Sequence, residues 1–323
     1  MKKITRNQAK HYLFDPQIPP QLVVQSGEKF QLETEDNLSG FITSSSSVPT
    51  NENLQPYTLR EPPEFNPLTG PVFVEGADRG DVLAVHIEEI APGDFGCTSI
   101  LPGVGPFSDS QRWPDLNTAY AHVIPYRPGP SGTRRDGKAI FAEGIEWDLK
   151  PFIGTIGVAP DREVLSSLYG QGTWGGNWDC RDMKEGSILY LNCYHKGGLL
   201  FIGDVHGTQG DTEFTGVANE TKADVVLSCQ VIKNKQISYP RIEKKESIIT
   251  LFATKPLEDA VRTAITYLME WMITEYGISP KEAYLRITAD PDFRVNVYQM
   301  VRTGWINYTV GAEYPKKFLQ PTS

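Results

Sequence analysis

Residues 203–214 read GDVHGTQGDTEF and bring Asp204, His206, Gln209, Asp211 and Glu213 into a dozen positions. The chain has only five histidines, so one set among two aspartates and a glutamate asks for a reason. In an extended segment, residues two apart point to the same side, which puts Asp204 beside His206. That pairing suits joint chelation of a metal ion, or a carboxylate that orients an imidazole. Gly203 and Gly207 leave the backbone open to a ligand, and Asp211 and Glu213 repeat the spacing past Gly210. The reading without chemistry is a hairpin whose acids face water and whose histidine is hydrogen-bonded locally.

A second stretch, GQGTWGGNWDCRDMKEGS at residues 170–187, is too rich in glycine for a helix and too irregular for a strand. Asn177 offers an amide donor for a carbonyl oxygen, and Asp179 offers a metal ligand or a base. Trp174 and Trp178 either line a small pocket or plug a core around a tight turn. A thiol route through Cys180 stays open, whereas a serine route lacks the G-x-S-x-G elbow.

These groups need a scaffold, and short strands dominate the first two thirds. QLVVQSGEKFQLET reads as two strands joined at Ser26-Gly27, and GPVFVEGADRGDVLAVHIEEIAPG as two more, with Leu83, Val85 and Ile87 on one face. SILYLNCYHKGGLLFIGDVH reads as a hairpin turning at Lys196-Gly197-Gly198. Residues 42–56 and 125–137 read as irregular loops. The strong helix is LEDAVRTAITYLMEWMITEY, with Glu258 and Asp259 in its first turn, an apolar stripe of Leu257, Val261, Ile265, Leu268 and Met272, and a stop at Gly277. Ser279-Pro280-Lys281-Glu282 is a capping box that opens a shorter helix. The pattern predicts a mainly β fold: a β-sandwich or jelly-roll-like core, an additional β-barrel-like portion and a C-terminal α+β segment. Its spans are 1–150, 151–250 with the main motifs, and a helical cover at 251–323, intertwined as one compact unit.

The 323 residues carry 31 Lys+Arg against 40 Asp+Glu, a net charge of -9. That balance argues against nucleic acid, which needs a concentrated basic face. No apolar run approaches the roughly 18 residues of a membrane span, and no secretory leader pattern opens the chain. The four cysteines are widely spaced without a C-x-x-C pair, as expected of free thiols in a cytoplasmic protein.

Taken in order, TGPVFVEGADRGDVL (69–83), PFIGTIGVAP (151–160), GGNWD, GDVHGTQGDTE and the closing GISPKEAYLRITADPDFRV make the chain resemble the acetamidase/formamidase family, from about Pro20 to Phe318. Gly207, Thr212 and Trp178 depart from the family's usual residues, and none of these changes removes an ionisable group. The resemblance implies a metal-associated hydrolase of short-chain linear amides, a divalent metal with zinc first and calcium second, and a homodimer. On that basis Asp179, Asp204 and His206 are the expected ligands, with Asp211 holding a second cation or shaping its loop. Glu75, beside a turn at a strand end, is the expected general acid/base and Glu213 its competitor. Asn177 and Gln209 are expected to orient the amide, and Trp178 to reshape the acyl pocket. His86, His122 and His195 are expected to be packed or surface residues, while His11 falls in a segment like the family's opening. Two alternatives remain: a hydrolase of cyclic amides or other C–N bonds, and a non-catalytic jelly-roll protein that binds a small ligand around a structural cation.

Overall fold

The computed structural model describes residues 1–8, 10–164, 166–301 and 306–319. Two large sheets face each other, and three α-helices lie outside them among the described residues. The nine-stranded sheet runs, in spatial order, through Lys2–Ile4, Lys29–Thr34, Ala223–Ile232, Val82–Pro92, Ile188–Asn192, Arg241–Glu243, Ser247–Thr254, Tyr308–Pro315 and Arg294–Gln299. The eleven-stranded sheet is centred on Phe152–Val158 and Leu200–Thr208. Leu200–Thr208 pairs on one side with Phe152–Val158 and on the other with Leu68–Val74 and Asn219–Thr221. Neither sheet closes, so the barrel-like portion expected from the sequence is an open sheet. Both sheets draw strands from either side of residue 150, and residues 302–305 and 320–323 of the third span lie outside the described residues.

The core is where the inner faces meet. Leu83, Val85, Ile87, Leu189, Leu191, Val225 and Leu227 from one sheet pack on Val72, Ile153, Ile156, Ile202 and Val205 from the other. Burying such side chains contributes about 1.5–3 kcal/mol each, and the face of Leu83, Val85 and Ile87 is the one the alternation predicted.

Strand positions were legible; partners were not. The expected hairpin at Lys196-Gly197-Gly198 is a crossing between sheets, since Ile188–Asn192 belongs to one and Leu200–Thr208 to the other. Gly197, Gly198 and Leu199 stand consecutively at φ of 81, 68 and 57°, a left-handed run that leads the chain away from its own strand. The chain recrosses at Lys222, between Asn219–Thr221 and Ala223–Ile232. The loop expected at 42–56 contains the start of a helix, Asn51–Thr58, whose cap Thr50 accepts from the Asn53 amide at 3.1 Å. Strand Tyr120–Arg127 likewise enters the expected loop at 125–137.

The long helix Leu257–Tyr276 ends at Gly277 in the left-handed conformation, as its residues required. Its buried face is Ala260, Ala264, Leu268, Trp271 and Met272, which shares Leu268 and Met272 with the predicted stripe, and Leu257, Val261 and Ile265 pack partly buried on the same cluster. The small Ala264 lets the sheet approach closely enough for Thr250 to donate to its carbonyl at 2.7 Å. Ser279 caps Pro280–Ala289 by accepting from the Glu282 amide.

Candidate active site

Asp204 and His206 both sit on Leu200–Thr208, a strand buried over every residue but its last. The strand is not regular at Asp204, whose φ is +57°. Asp179 and Glu213 also have positive φ, at 46 and 45°. Non-glycine residues held there cost roughly 1–3 kcal/mol each and gather where geometry serves function. Three acids that converge in this way are held by the surrounding fold.

Their meeting point is the His206 Nε2 atom. Glu220 Oε2 lies 3.1 Å from it, Asp204 Oδ1 3.3 Å and Asp179 Oδ1 3.8 Å. Glu220 belongs to the neighbouring strand, directly opposite His206 in register. The other ring nitrogen, Nδ1, is 2.9 Å from Gln209 Oε1. Gln209 Nε2 donates to the Asp179 and Tyr298 carbonyls, both at 2.9 Å, which fixes the amide's orientation. Nδ1 must therefore carry the proton and donate, leaving Nε2 aimed at the carboxylates.

Around this centre the chain is tailored at short range. Gly154 lies against the cluster: a Cβ there would sit 2.7 Å from Asp204 Oδ2 and 2.8 Å from Asp179 Oδ1. The Gly154 carbonyl accepts the Trp178 and Asp179 amides at 3.0 and 3.1 Å. Thr155 donates to Asp204 Oδ2 at 3.1 Å or Asn177 Oδ1 at 2.9 Å. From the far sheet, Gln299 Nε2 donates to Asp179 Oδ2 and, at 3.3 Å, to Glu213 Oε2.

Burial, then the Glu213 and Asp204 charges, push the Asp179 carboxyl well above its ordinary value. Burial raises Glu213 too, and pushes Glu220 up to about 8. Burial alone would lower His206, but the Glu220 and Asp204 charges outweigh it and hold the imidazole well above its usual range. Asp204 goes the other way, its burial outweighed by the adjacent His206 charge. Four buried acids around one imidazole are an unbalanced charge set.

A divalent cation fits this set. Asp179, His206 and Glu213 can offer ligand atoms within 4.8 Å of one another, and so can Asp204, His206 and Glu220. Asp179 Oδ1 and Glu220 Oε2 are buried and accept no hydrogen bond, so each has a lone pair to give; with Nδ1 held by Gln209, His206 turns Nε2 to the same point, where a cation would take the place of the proton that the carboxylates favour there. Carboxylate and imidazole donors suit several divalent ions.

The structure thus gathers Asp179, Asp204, His206, Gln209, Glu213 and Asn177, and leaves two expected residues outside. Glu75 is exposed on the turn after Leu68–Val74, its amide bonded to Val24. Asp211 is exposed and paired with Arg181, because the turn that sends Glu213 inward sends Asp211 to solvent. Gln209 has all its groups committed to protein and positions His206, while Asn177 is tied to Thr155 and to the Leu168 carbonyl. Trp178 points into the core between the sheets, 5.5 Å from the Tyr239 ring. Burial pushes the Cys180 thiol far above its ordinary range, which removes the thiolate a cysteine route needs. His122 and His195 reach the carbonyls of Phe141 and Pro160, both at 2.8 Å. His86 lies on Val82–Pro92 of the nine-stranded sheet, and His11 packs against Phe201.

Glu220, Gln299 and Thr155 were not singled out in the sequence. Glu220 lies in VANETK, where polar neighbours on both sides leave nothing local to mark it.

A model of the acetamidase/formamidase family matches residues 1–172 and 170–268. An acetamidase of Mycolicibacterium smegmatis is 25% identical over 90% of this chain and 88% of its own length. A formamidase of Methylophilus methylotrophus is 24% identical over 64% of this chain, which spans 59% of that relative. The crystal structure of an acetamidase from Yersinia enterocolitica superposes with a TM-score of 0.85 and 31% identity, covering 98% of this chain and 92% of that one. The family model, the fold and the order of the motifs agree: the chain belongs to the acetamidase/formamidase family.

Proposed function

We propose that this chain hydrolyses the C–N bond of short-chain linear primary amides to a carboxylate and ammonia, with a divalent cation, zinc first, held at His206. Its class, an amidase cleaving carbon–nitrogen bonds, comes with membership of the family. The observation that carries the reading is His206: Nδ1 fixed by Gln209, and Nε2 facing Asp204 and Glu220 at 3.3 and 3.1 Å.

Asp204, His206 and Glu220 would hold the cation, as the tightest three. A bound divalent cation lowers the pKa of water and polarises a carbonyl. A cation held by those three would still have Asp179 and Glu213 beside it, and a catalytic site, unlike a filled structural one, keeps a position for water or substrate. Asp179 and Glu213, bridged by Gln299, share the work of a general base and acid. Two carboxyls this close favour keeping one proton between them, and that proton serves the departing nitrogen. Gln209 and Glu213 line a cavity on the protein surface, which gives the amide its approach. The four cysteines are all buried and unpaired, which supports a reducing, cytoplasmic setting.

The test is ammonia release from formamide, acetamide and propionamide by the protein as purified, after chelation, and after resupply of zinc or calcium. Release that vanishes on chelation and returns with zinc is the expected result. Release undiminished in fully stripped protein would end the metal-assisted reading.

A further inference from the structure

The cavity that Gln209 and Glu213 help to line is far larger than acetamide requires. Its volume is about 760 Å³, and Phe141, Trp147, Phe214 and Val217 stand along its walls. That size falls within the roughly 300–1,000 Å³ of pockets that enclose drug-sized ligands. Phe214 follows Glu213 directly and is 38% exposed. Its ring lies 5.1 Å from Phe107, which lies 5.5 Å from Trp113. Phe107 and Trp113 are themselves 43 and 45% exposed, so three aromatic rings in mutual contact are left open to solvent beside the acids. Exposed apolar clusters of this kind mark binding sites.

We propose that this wall receives the far end of the acyl group, so that the acyl site extends past the short linear amides above and favours a short acyl chain that ends in an aromatic ring. The inference rests on the amidase reading above. A primary amide has only one substituent, on its carbonyl carbon, so an amide held near Glu213 must send that substituent along the cavity toward Phe214. Phe107, against Phe214, and Trp113, against Phe107, continue the apolar surface beyond the cavity wall, and edge-to-face contact with a substrate ring suits their tilted arrangement. The bond changes are those of the simple amide. Water supplies the oxygen that joins the carbonyl carbon, the C–N bond breaks, and the products are an arylalkyl carboxylate and ammonium.

The experiment compares kcat/KM for acetamide, propionamide and phenylacetamide on the full chain and on Phe214→Ala and Phe214→Leu, with melting curves to establish that each variant folds. Phenylacetamide is expected to exceed acetamide by about tenfold or more, the scale of apolar pocket discrimination. The phenylacetamide-to-acetamide ratio should fall at least about fivefold in Phe214→Ala and recover in part in Phe214→Leu. Phenylacetate should quench tryptophan fluorescence in wild type at lower concentration than acetate does. Acetamide turned over with phenylacetamide ignored, or a ratio that Phe214→Ala leaves unmoved, overturns the proposal and spares the amidase reading. Sedimentation in which Phe107→Ala dissociates an oligomer without moving the ratio would assign the rings to a subunit contact instead. Ammonia from none of the three amides would sink the amidase reading, and this inference with it.

Discussion

Gln299 and Asp179 meet across the two sheets: the amide of a strand at the edge of the nine-stranded sheet donates to an acid set beside the centre of the other, and reaches Glu213 as well. One side chain thus orders both carboxyls on the open side of the site. Gln299→Ala leaves them without their shared donor, and should destabilise the fold by about 1–3 kcal/mol. Gln299→Glu adds a further acid and should cost more. Thermal melts rank the two, and equal melting temperatures for wild type and both variants would contradict the bridge.

Gln209 acts through His206. With its Oε1 gone in Gln209→Ala, the ring loses the partner that fixes its tautomer. Such outer contacts are worth about 10–100-fold in metal affinity or activity, so kcat should fall by that amount and zinc should bind more weakly by titration. Gln209→Glu keeps an acceptor for Nδ1 but removes the donor to the Asp179 and Tyr298 carbonyls, so it should recover part of the loss. Full activity in the alanine variant would refute the positioning role.

Gly154 tests the geometry with one methyl group. The added Cβ of Gly154→Ala would press on the Asp204 carbonyl and Oδ2, both at 2.7 Å, and on Asp179 Oδ1 at 2.8 Å, and the contact with backbone cannot be relieved by turning a side chain. A displacement of about 1 Å can cost on the order of 100-fold in rate. Activity should drop at least that far while far-UV circular dichroism stays unchanged. Retained activity would mean that these acids are not held as described.

Removing the cation should weaken the fold as well as the chemistry. A ligand that binds only the native state at 100 times its Kd adds about 2.7 kcal/mol, and here it also neutralises buried acids. The stripped protein should melt lower and regain its melting temperature with zinc. A melting temperature indifferent to metal would argue against a buried cation.

Stability against pH has a separate source in Asp182. Burial raises its carboxyl, but the Lys244 charge and the hydrogen bonds from Lys244 and Tyr298 outweigh it and hold the folded pKa below the ordinary 3.8. A depressed folded value stabilises the protein above the unfolded pKa, and that contribution is lost as pH falls through the folded one. Asp182→Asn should therefore be less stable than wild type by about 1–3 kcal/mol near pH 7. The gap should narrow as pH falls below the ordinary 3.8. Denaturant melts across that range would expose a constant gap, which the linkage forbids.

What the sequence disclosed and what it withheld follow one physical line. Apolar runs and period-two patterns located strands such as Val82–Pro92, which is buried on both faces at its start and alternates toward its end. They said nothing of which sheet a strand joins, so the crossing at Gly197–Leu199 read as a hairpin. Asp204, His206 and Asp179 were legible because glycines and an unusual density of polar groups mark them locally. Glu220 reaches His206 only through strand register, and Gln299 only through the packing of one sheet on the other. Neither relationship exists along the chain. Glu75 misled because a strand-end acid looks the same whether its turn faces a site or the solvent.

The late position of Gln299 has a consequence for how the protein comes into being. Asp179 and Glu213 are synthesised 120 and 86 residues before the amide that orders them. A ribosome-bound or prematurely terminated chain can hold every acid of the centre and still lack the strand Arg294–Gln299. The donor that orders Asp179 and Glu213 therefore arrives only when Arg294–Gln299 has been made, and until then the two acids stand in the chain without it.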